Sequence, residues 1–477
     1  MNRNMCSNRV LAAGWRDSSQ DRLTAQAQAA EITITNLEQQ NAHLLDPSAR
    51  TQDILRRNRE SKEGGVYAVC SAHPQVIAAA IQQAIEDGTV LHVESTSSQV
   101  NQFGGYTGQT PEMFAQWIRA VAAGAGLPSE RVLLGGDHLG PFPWRNETAS
   151  SAMEKACELV RQCVRSGYHK IHLDASMACA DDGETGLQEQ VVAGRAAILC
   201  DVAEKAYREL PSGSPRIVYV IGTEVPAPGG ELLEAHAPET TKAEDVHRTL
   251  EIFKRAFTER NLASAWERVV GLVVQPGVEF GSDVVFAYDP AKTRSLSAAL
   301  SAHPGVVYEA HSTDYQSQTG LEQMVQDHFA ILKVGPWLTF AYREAVLALT
   351  AIEHEMLATR SSRRPSQVRE ALEKAMLRNP IHWRSYYRGT EEEISRQLIF
   401  SYSDRCRYYW NEPSVEAEIR RLMDNLAVQA IPPTLVSQFL PLEYEVMRSG
   451  QLQANPETLI RSHVGEVLRV YARACAG

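Results

Sequence analysis

Two histidines stand where metal chemistry is possible. His138 closes the apolar run LGGDH and His311 closes VVYEAH, and each has a carboxylate nearby, Asp137 immediately before the first and Asp314 three residues after the second. Two imidazoles and one carboxylate bind a divalent transition metal while leaving coordination positions open for water or a ligand. Glu224 follows Gly222-Thr223, where backbone can approach closely, and is the natural third ligand. The expected metal set is therefore His138, Glu224 and His311. Other apolar runs also end in ionisable or amide side chains: Glu94, Asp174, Gln275, Glu279 and Lys333. Charges brought into one interior need partners, and a bound cation is one such partner. His73, His92, His172, His236 and His328 read as core or surface residues. His92 and His172 each precede a run-ending carboxylate by two residues, so alternation along a strand points them into the same interior.

Two loops carry groups suited to a ligand. Segment 95–111 (STSSQVNQFGGYTGQTP) combines amides, hydroxyls and a Gly-Gly pair, and Asn101 and Gln102 are its expected contacts to a hydroxyl-rich molecule. Segment 401–410 (SYSDRCRYYW) places Arg405 and Arg407 among aromatic rings, a combination suited to phosphate or carboxylate. Glu94, Gln275, Asp314, Lys333 and Arg405 complete the expected substrate-binding set.

These residues need strands to hold them. Near-continuous apolar runs occur at 66–70, 90–95, 132–138, 170–176, 217–225, 271–280, 306–314 and 330–337, as expected of strands buried on both faces. Helix signals fill the intervals. Thr110-Pro111-Glu112, for example, supplies a cap, a first-turn proline and a first-turn acid. Eight strands with crossovers imply an α/β fold, a (β/α)8 TIM barrel whose strand carboxyl ends carry the site. An open doubly wound sheet would usually show a glycine-rich turn after its first strand, and SAHPQV stands there instead. The 477 residues exceed the roughly 250 of a bare barrel. The expected organisation is an N-terminal polar extension (1–50), a barrel (51–345) and a C-terminal α-helical extension (346–477).

Composition narrows the partners. Forty-seven basic against 58 acidic residues leave a net charge of −11, which disfavours nucleic acid. No apolar stretch is long enough for a membrane span, no secretory signal is read, and none of the 8 cysteines forms a CxxC pair. A cytoplasmic chain with reduced thiols is expected.

The motifs LGGDHLGP, KIHLDASM, VIGTEVPAPGG, VVQPGVEF, EAHSTDYQ, LKVGPWLTFAYREA, SYSDRCRYYW and VNQFGGYTG resemble those of the class II tagatose-bisphosphate aldolase accessory-subunit family. The likeness runs from about residue 50 to the C-terminus. Members of that family include non-catalytic subunits, tagatose or tagatose 6-phosphate 4-epimerases, and proteins labelled tagatose 6-phosphate kinase. Its catalytic relatives are zinc barrels. The resemblance implies an acid/base role for Asp137, metal ligation by His138 and His311, and a second acid/base or orienting role for Asp174. It also brings out departures. The histidine that follows Gly-Thr in the catalytic enzymes is here Glu224-Val225, their glycine-rich phosphate loop is Ser312-Thr313-Asp314, and their Lys-Val-Asn is Lys333-Val334-Gly335. No GxxxxGK[ST] motif supports a kinase. The expected function is a metal-dependent 4-epimerase, an isomerase that interconverts tagatose and fructose or their 6-phosphates by retro-aldol and aldol steps. The alternative is a non-catalytic subunit that stabilises a class II aldolase. The expected cofactor is a divalent ion, zinc, manganese, nickel or cobalt. The expected partners are a ketose or ketose phosphate, with either a second copy of the chain or an aldolase catalytic subunit.

Overall fold

A computed structural model describes residues 46–183, 187–223, 238–357 and 363–476. The strands are β1 (Val66–Val69), β2 (Leu91–Thr96), β3 (Val132–Leu139), β4 (Lys170–Leu173), β5 (Val218–Ile221), β6 (Val269–Val273), a short pair β7 (Glu279–Phe280) and β8 (Val285–Phe286), then β9 (Val307–Ala310) and β10 (Ile331–Val334). All but β7 and β8 form a closed parallel barrel in the order β1-β10-β9-β6-β5-β4-β3-β2. The first and last strands pair, Val66 opposite Ile331 and Val69 opposite Val334. The chain is thus a (β/α)8 barrel, as the eight apolar runs foretell. The run 271–280 is not one strand, however. Gly277 turns at φ 84°, its N–H donates to Gln275 Oε1 at 2.8 Å, and Glu279 falls in the antiparallel β7–β8 hairpin.

Crossover helices form where caps and apolar stripes coincide. Thr110 caps the helix Pro111–Gly124, accepting from the Met113 N–H. Thr148 caps Ala149–Arg165, whose buried Ala152, Ala156, Leu159, Val160 and Cys163 recur at helical spacing against the sheet. The helix Pro47–Ser61 packs at the amino-terminal end of the barrel. Its Leu55 joins Val66, Val218, Val270 and Ile331 in an apolar cluster, and its Asn58 donates to the Gly64 and Val325 carbonyls.

After β10 the chain is helical. The helix Pro336–Leu357 is joined to segment 401–410 by a buried pair, Arg343 Nη1 to Asp404 Oδ1 at 2.6 Å. The last helix, Pro456–Ala476, packs on Pro74–Asp87, Gln318–Gln326 and Pro336–Leu357, and the Cys475 carbonyl accepts from the Gly65 N–H at 3.0 Å. Pro47–Gly477 behave as one compact unit. Among the described residues, no helix is long and apolar enough to cross a membrane.

Candidate functional site

The carboxyl end of the barrel is built on an irregularity in β3. Its register with β4 shifts between Gly136 and Leu139, and His138 lies at φ 49°. Such a bulge re-aims side chains, and the adjacent Asp137 and His138 both line the cavity above the barrel. Gly135 lies between Glu94 of β2 and Lys170 of β4 in register. A Cβ there would sit 2.7 Å from Glu94 Cγ, so only glycine leaves room for the pair to meet.

Beneath the cavity is an ion network. Lys170 Nζ lies 2.7 Å from Glu94 Oε1 and 2.6 Å from Glu309 Oε2. Lys333 Nζ pairs with Glu94, lies 3.0 Å from Asp137 Oδ1 and 3.9 Å from Glu309 Oε1. Burial would pull both ammonium groups down, but the carboxylates around them hold both above their ordinary values. These are fixed cations rather than nucleophilic amines. Burial likewise pushes Glu309 up, and Lys170 and Lys333 overcome it to leave Glu309 well below its ordinary range.

Three imidazoles face this network, with ring centroids 4.9–5.4 Å apart among His138, His172 and His311. His138 Nδ1 meets Asp174 Oδ2 at 2.8 Å, His172 Nδ1 meets Asp137 Oδ1 at 3.0 Å, and His311 Nε2 meets Glu309 Oε1 at 3.0 Å. Burial opposes charge on His138, yet Asp137 and Asp174 raise it. Burial pulls His311 down to about 4, so it is neutral at pH 7. Asp137 is driven up by burial but held well below its usual range by His138, Lys333 and His172.

A divalent cation fits this donor set. One ligand atom from each of Asp137, His172, Glu309 and His311 lies within 4.8 Å of the others. His172 Nε2 is buried without a hydrogen-bond partner. Charge points the same way. The four carboxylates Glu94, Asp137, Asp174 and Glu309 face two ammonium groups, Lys170 and Lys333, leaving two negative charges. A divalent ion would cancel both.

The cavity above has a volume of about 820 Å³, within the usual range for small-molecule sites. Its floor includes Asp137, His138, His311 and Lys333; its far wall includes Arg405, Arg407 and Tyr408 from the helical extension. Ser312, also lining it, holds φ 55°; non-glycine residues in such conformations concentrate at functional sites. Asp314 lines the cavity but is engaged: its Oδ1 accepts from the Gly335 N–H at 3.0 Å and the Trp337 N–H at 2.8 Å, at the start of the helix Pro336–Leu357. Burial raises Asp314 to about 6 despite those two donors.

The expected site residues thus fall into groups. Asp137, His138, His311, Asp314, Lys333 and Arg405 line one cavity. Asp174 and Glu94 sit behind it, the first bonded to His138 and Ser176, the second inside the ion network. Asn101 shapes its own loop, accepting from the Phe103 and Gly105 N–H groups. Gln102 turns away to donate to the Lys155 carbonyl, and Gln275 accepts from Gly277. Glu224 lies outside the described residues. Lys170 and Glu309 were not anticipated as site residues. Each was legible by alternation, Lys170 two residues before His172 and Glu309 two before His311.

A parallel barrel with a buried imidazole–carboxylate cluster at its carboxyl end, roofed by a helical extension, defines the class. Within it, residues 51–476 match the family model described as D-tagatose-1,6-bisphosphate aldolase subunit GatZ/KbaZ-like, and the chain belongs to that family. It is 45% identical over 424 residues to the D-tagatose-1,6-bisphosphate aldolase subunit GatZ of Salmonella heidelberg (strain SL476), covering 89% of this chain and 99% of that protein. The Klebsiella pneumoniae subunit of the same name is 44% identical over 425 residues, with the same coverage. Among solved structures, a probable tagatose 6 phosphate kinase from Sinorhizobium meliloti 1021 superposes with a TM-score of 0.78 at 44% identity, covering 86% of this chain and all of that one. These relatives correct the expected function. The curated ones are named as an aldolase subunit, so the reading as an isomerase or 4-epimerase does not stand and the subunit alternative is the one supported. The converging strand-end charges do not by themselves require a substrate. In the structure many of them partner one another, as Lys170 and Lys333 do with Glu94, Glu309 and Asp137.

Proposed function

We propose that the chain is the accessory subunit of a tagatose-bisphosphate aldolase and acts beside a separate class II catalytic subunit. The observation that carries this reading is the Asp314 carboxylate on the first N–H groups of the helix after β10. A helix N-terminus is a ready anion site, and here the chain fills it with its own side chain. Lys333 beside it is likewise engaged by Glu94 and Asp137. A barrel so arranged has lost one cradle for a bisphosphate and keeps its fold and its internal charge balance. The family match and the names of the relatives support the same reading. Within it, residues 51–345 are the barrel body, 346–477 the helical extension and 1–50 an N-terminal extension. The setting is the cytoplasm, in keeping with cysteines that are free among the described residues.

Asp137, His172, Glu309 and His311 are the residues that would hold a divalent ion, and their mixed nitrogen and oxygen donors suit zinc, manganese, nickel or cobalt. When bound, the ion would supply a Lewis-acidic centre. Asp137 keeps His172 oriented, Glu309 does the same for His311, and Lys333 holds Asp137 ionised.

The test is reconstitution. A class II tagatose-bisphosphate aldolase catalytic subunit is assayed for turnover and half-life with and without the purified chain, and the mixture is run by size exclusion. Co-elution with a gain in turnover or lifetime is expected. No change in either at saturating excess of the chain overturns the proposal.

A further inference from the structure

We infer that a second cleft, on the outside of the barrel near its amino-terminal end, binds the phosphoryl group of a small molecule. The cleft has a volume of about 780 Å³ and shares no lining residue with the cavity at the carboxyl end. One wall is the end of the helix Pro47–Ser61 and the residue after it, which bring Arg59 and Lys62. The other is the helix Pro290–Ala299, which brings Arg294 and Ser297, with Ser301 just beyond its end. Residues three and four apart share a helix face, so cations and hydroxyls from two elements meet on one groove.

Two helix stops shape it. Lys62 lies at φ 64° and His328 at φ 70°, the first directly after Pro47–Ser61 and the second just past Gln318–Gln326. Glycine takes this conformation at least cost and is the usual residue at such stops. This chain instead places an ammonium and an imidazole there, both on the cleft. His328 Nδ1 lies 3.0 Å from Asn58 Oδ1, and the Asn58 amide nitrogen donates to the Gly64 and Val325 carbonyls. Asn58 Oδ1 is thus the acceptor and His328 Nδ1 carries the proton. Burial pulls His328 down to about 4, and Arg59 and Lys62 push it the same way. The neutral ring keeps Nε2 as an acceptor for a ligand hydroxyl.

The Arg59 guanidinium donates to the Leu300 carbonyl at 2.5 Å, and its Nε is buried without a hydrogen-bond partner. Asp289 and Asp327 share the lining and offset part of the positive charge. Asp289 Oδ1 caps its helix by accepting from the Ala291 N–H at 3.0 Å, and Asp327 Oδ2 accepts from the Tyr288 hydroxyl at 2.7 Å. With His328 neutral, three cations face two carboxylates. The lining keeps one net positive charge in a chain whose sum is −11. A phosphoryl dianion would meet it through charge-assisted hydrogen bonds. The site concerns this chain alone and does not depend on the proposed assembly.

The experiment uses the full chain. Wild-type crystals soaked in tungstate are expected to show anomalous density in reach of Lys62 and Arg294; density only elsewhere overturns the inference. Equilibrium dialysis at fixed ionic strength then compares inorganic phosphate with glycerol 1-phosphate. Tighter binding of the ester assigns a phosphorylated metabolite, and equal binding assigns free phosphate. Lys62→Gly with Arg294→Gln is expected to remove one bound phosphate per chain or to weaken it about tenfold. Lys62→Gly alone is expected to melt no lower than the wild type, since glycine relieves the positive φ, while phosphate binds more weakly. A Lys62→Gly chain that melts lower and binds phosphate as before gives Lys62 a structural role and refutes the site, as does unchanged binding in the folded double variant.

Discussion

Lys170→Met is the sharpest probe of how this barrel is held together. The ammonium is 2% exposed and bridges Glu94 and Glu309, both fully buried, at 2.7 and 2.6 Å. Removing one partner of a buried pair costs about 3–5 kcal/mol, because the remaining charge stays desolvated. Here Lys333 still serves Glu94, and His311 with Lys333 still faces Glu309, so the lower end, about 3 kcal/mol, is expected. That is roughly a hundredfold in the unfolding equilibrium. Urea unfolding at pH 7, followed by tryptophan fluorescence, measures it. The pH dependence carries a sign. The Glu309 carboxyl is depressed in the folded chain, so its contribution is present above the unfolded value near 4.5 and is lost as pH falls through the folded value. Without Lys170 the folded value rises, and the acid limb of the stability curve moves to higher pH. Lys170→Met with Glu309→Gln removes both charges of one pair and is expected to recover part of the loss. A Lys170→Met penalty below about 1 kcal/mol, or strict additivity in the double variant, would refute the network as described.

Other perturbations follow from the same geometry. Gly140→Ala would place a Cβ 1.5 Å from the Asp174 carbonyl oxygen; displacement of that backbone is expected to cost about 2 kcal/mol or more by thermal melting, and a silent variant would contradict the placement. His463, bonded to Glu443 at 3.0 Å and Glu344 at 3.3 Å, is lowered by burial but raised further by those two carboxylates, to about 9. Its stabilisation is present below pH 6.5 and lost as pH rises through about 9. His463→Gln should flatten that limb by about 1–2 kcal/mol, discounted because Glu344 is half exposed. Emission spectroscopy of the dialysed chain is expected to find about one divalent ion per chain, absent in His311→Ala; full retention in that variant removes His311 from the donor set.

The barrel was readable because strands buried on both faces are continuous apolar runs, and each of the eight produced one. The run 271–280 overreaches β6, which ends at Val273, because VVQPGVEF carries on past the turn at Gly277 into β7. At the site, strand-end position located Asp137, His138, His311 and Lys333 on a common cavity. It did not locate Lys170 or Glu309, which lie within their strands. Their partners come from β2, β4, β9 and β10, and pairing across the barrel has no signature in one sequence. The polar loop residues Asn101 and Gln102 were read outward as ligand contacts, whereas their hydrogen bonds serve the loop and a neighbouring helix. Side-chain amides satisfy backbone in this way wherever a loop leaves the ladder.

The last helix has a consequence for how the protein is made. Cys475 accepts from Gly65, at the start of the first strand, and the Tyr471 hydroxyl donates to the Thr313 carbonyl at 2.8 Å, between the last two. The seam between β1 and β10 is therefore clamped by a helix that is synthesised after every barrel strand. Every barrel strand has been synthesised by Val334. At about 5–20 residues per second, translation from Val334 to Cys475 takes on the order of ten seconds. During that interval the nascent chain holds a complete set of strands without its clamp.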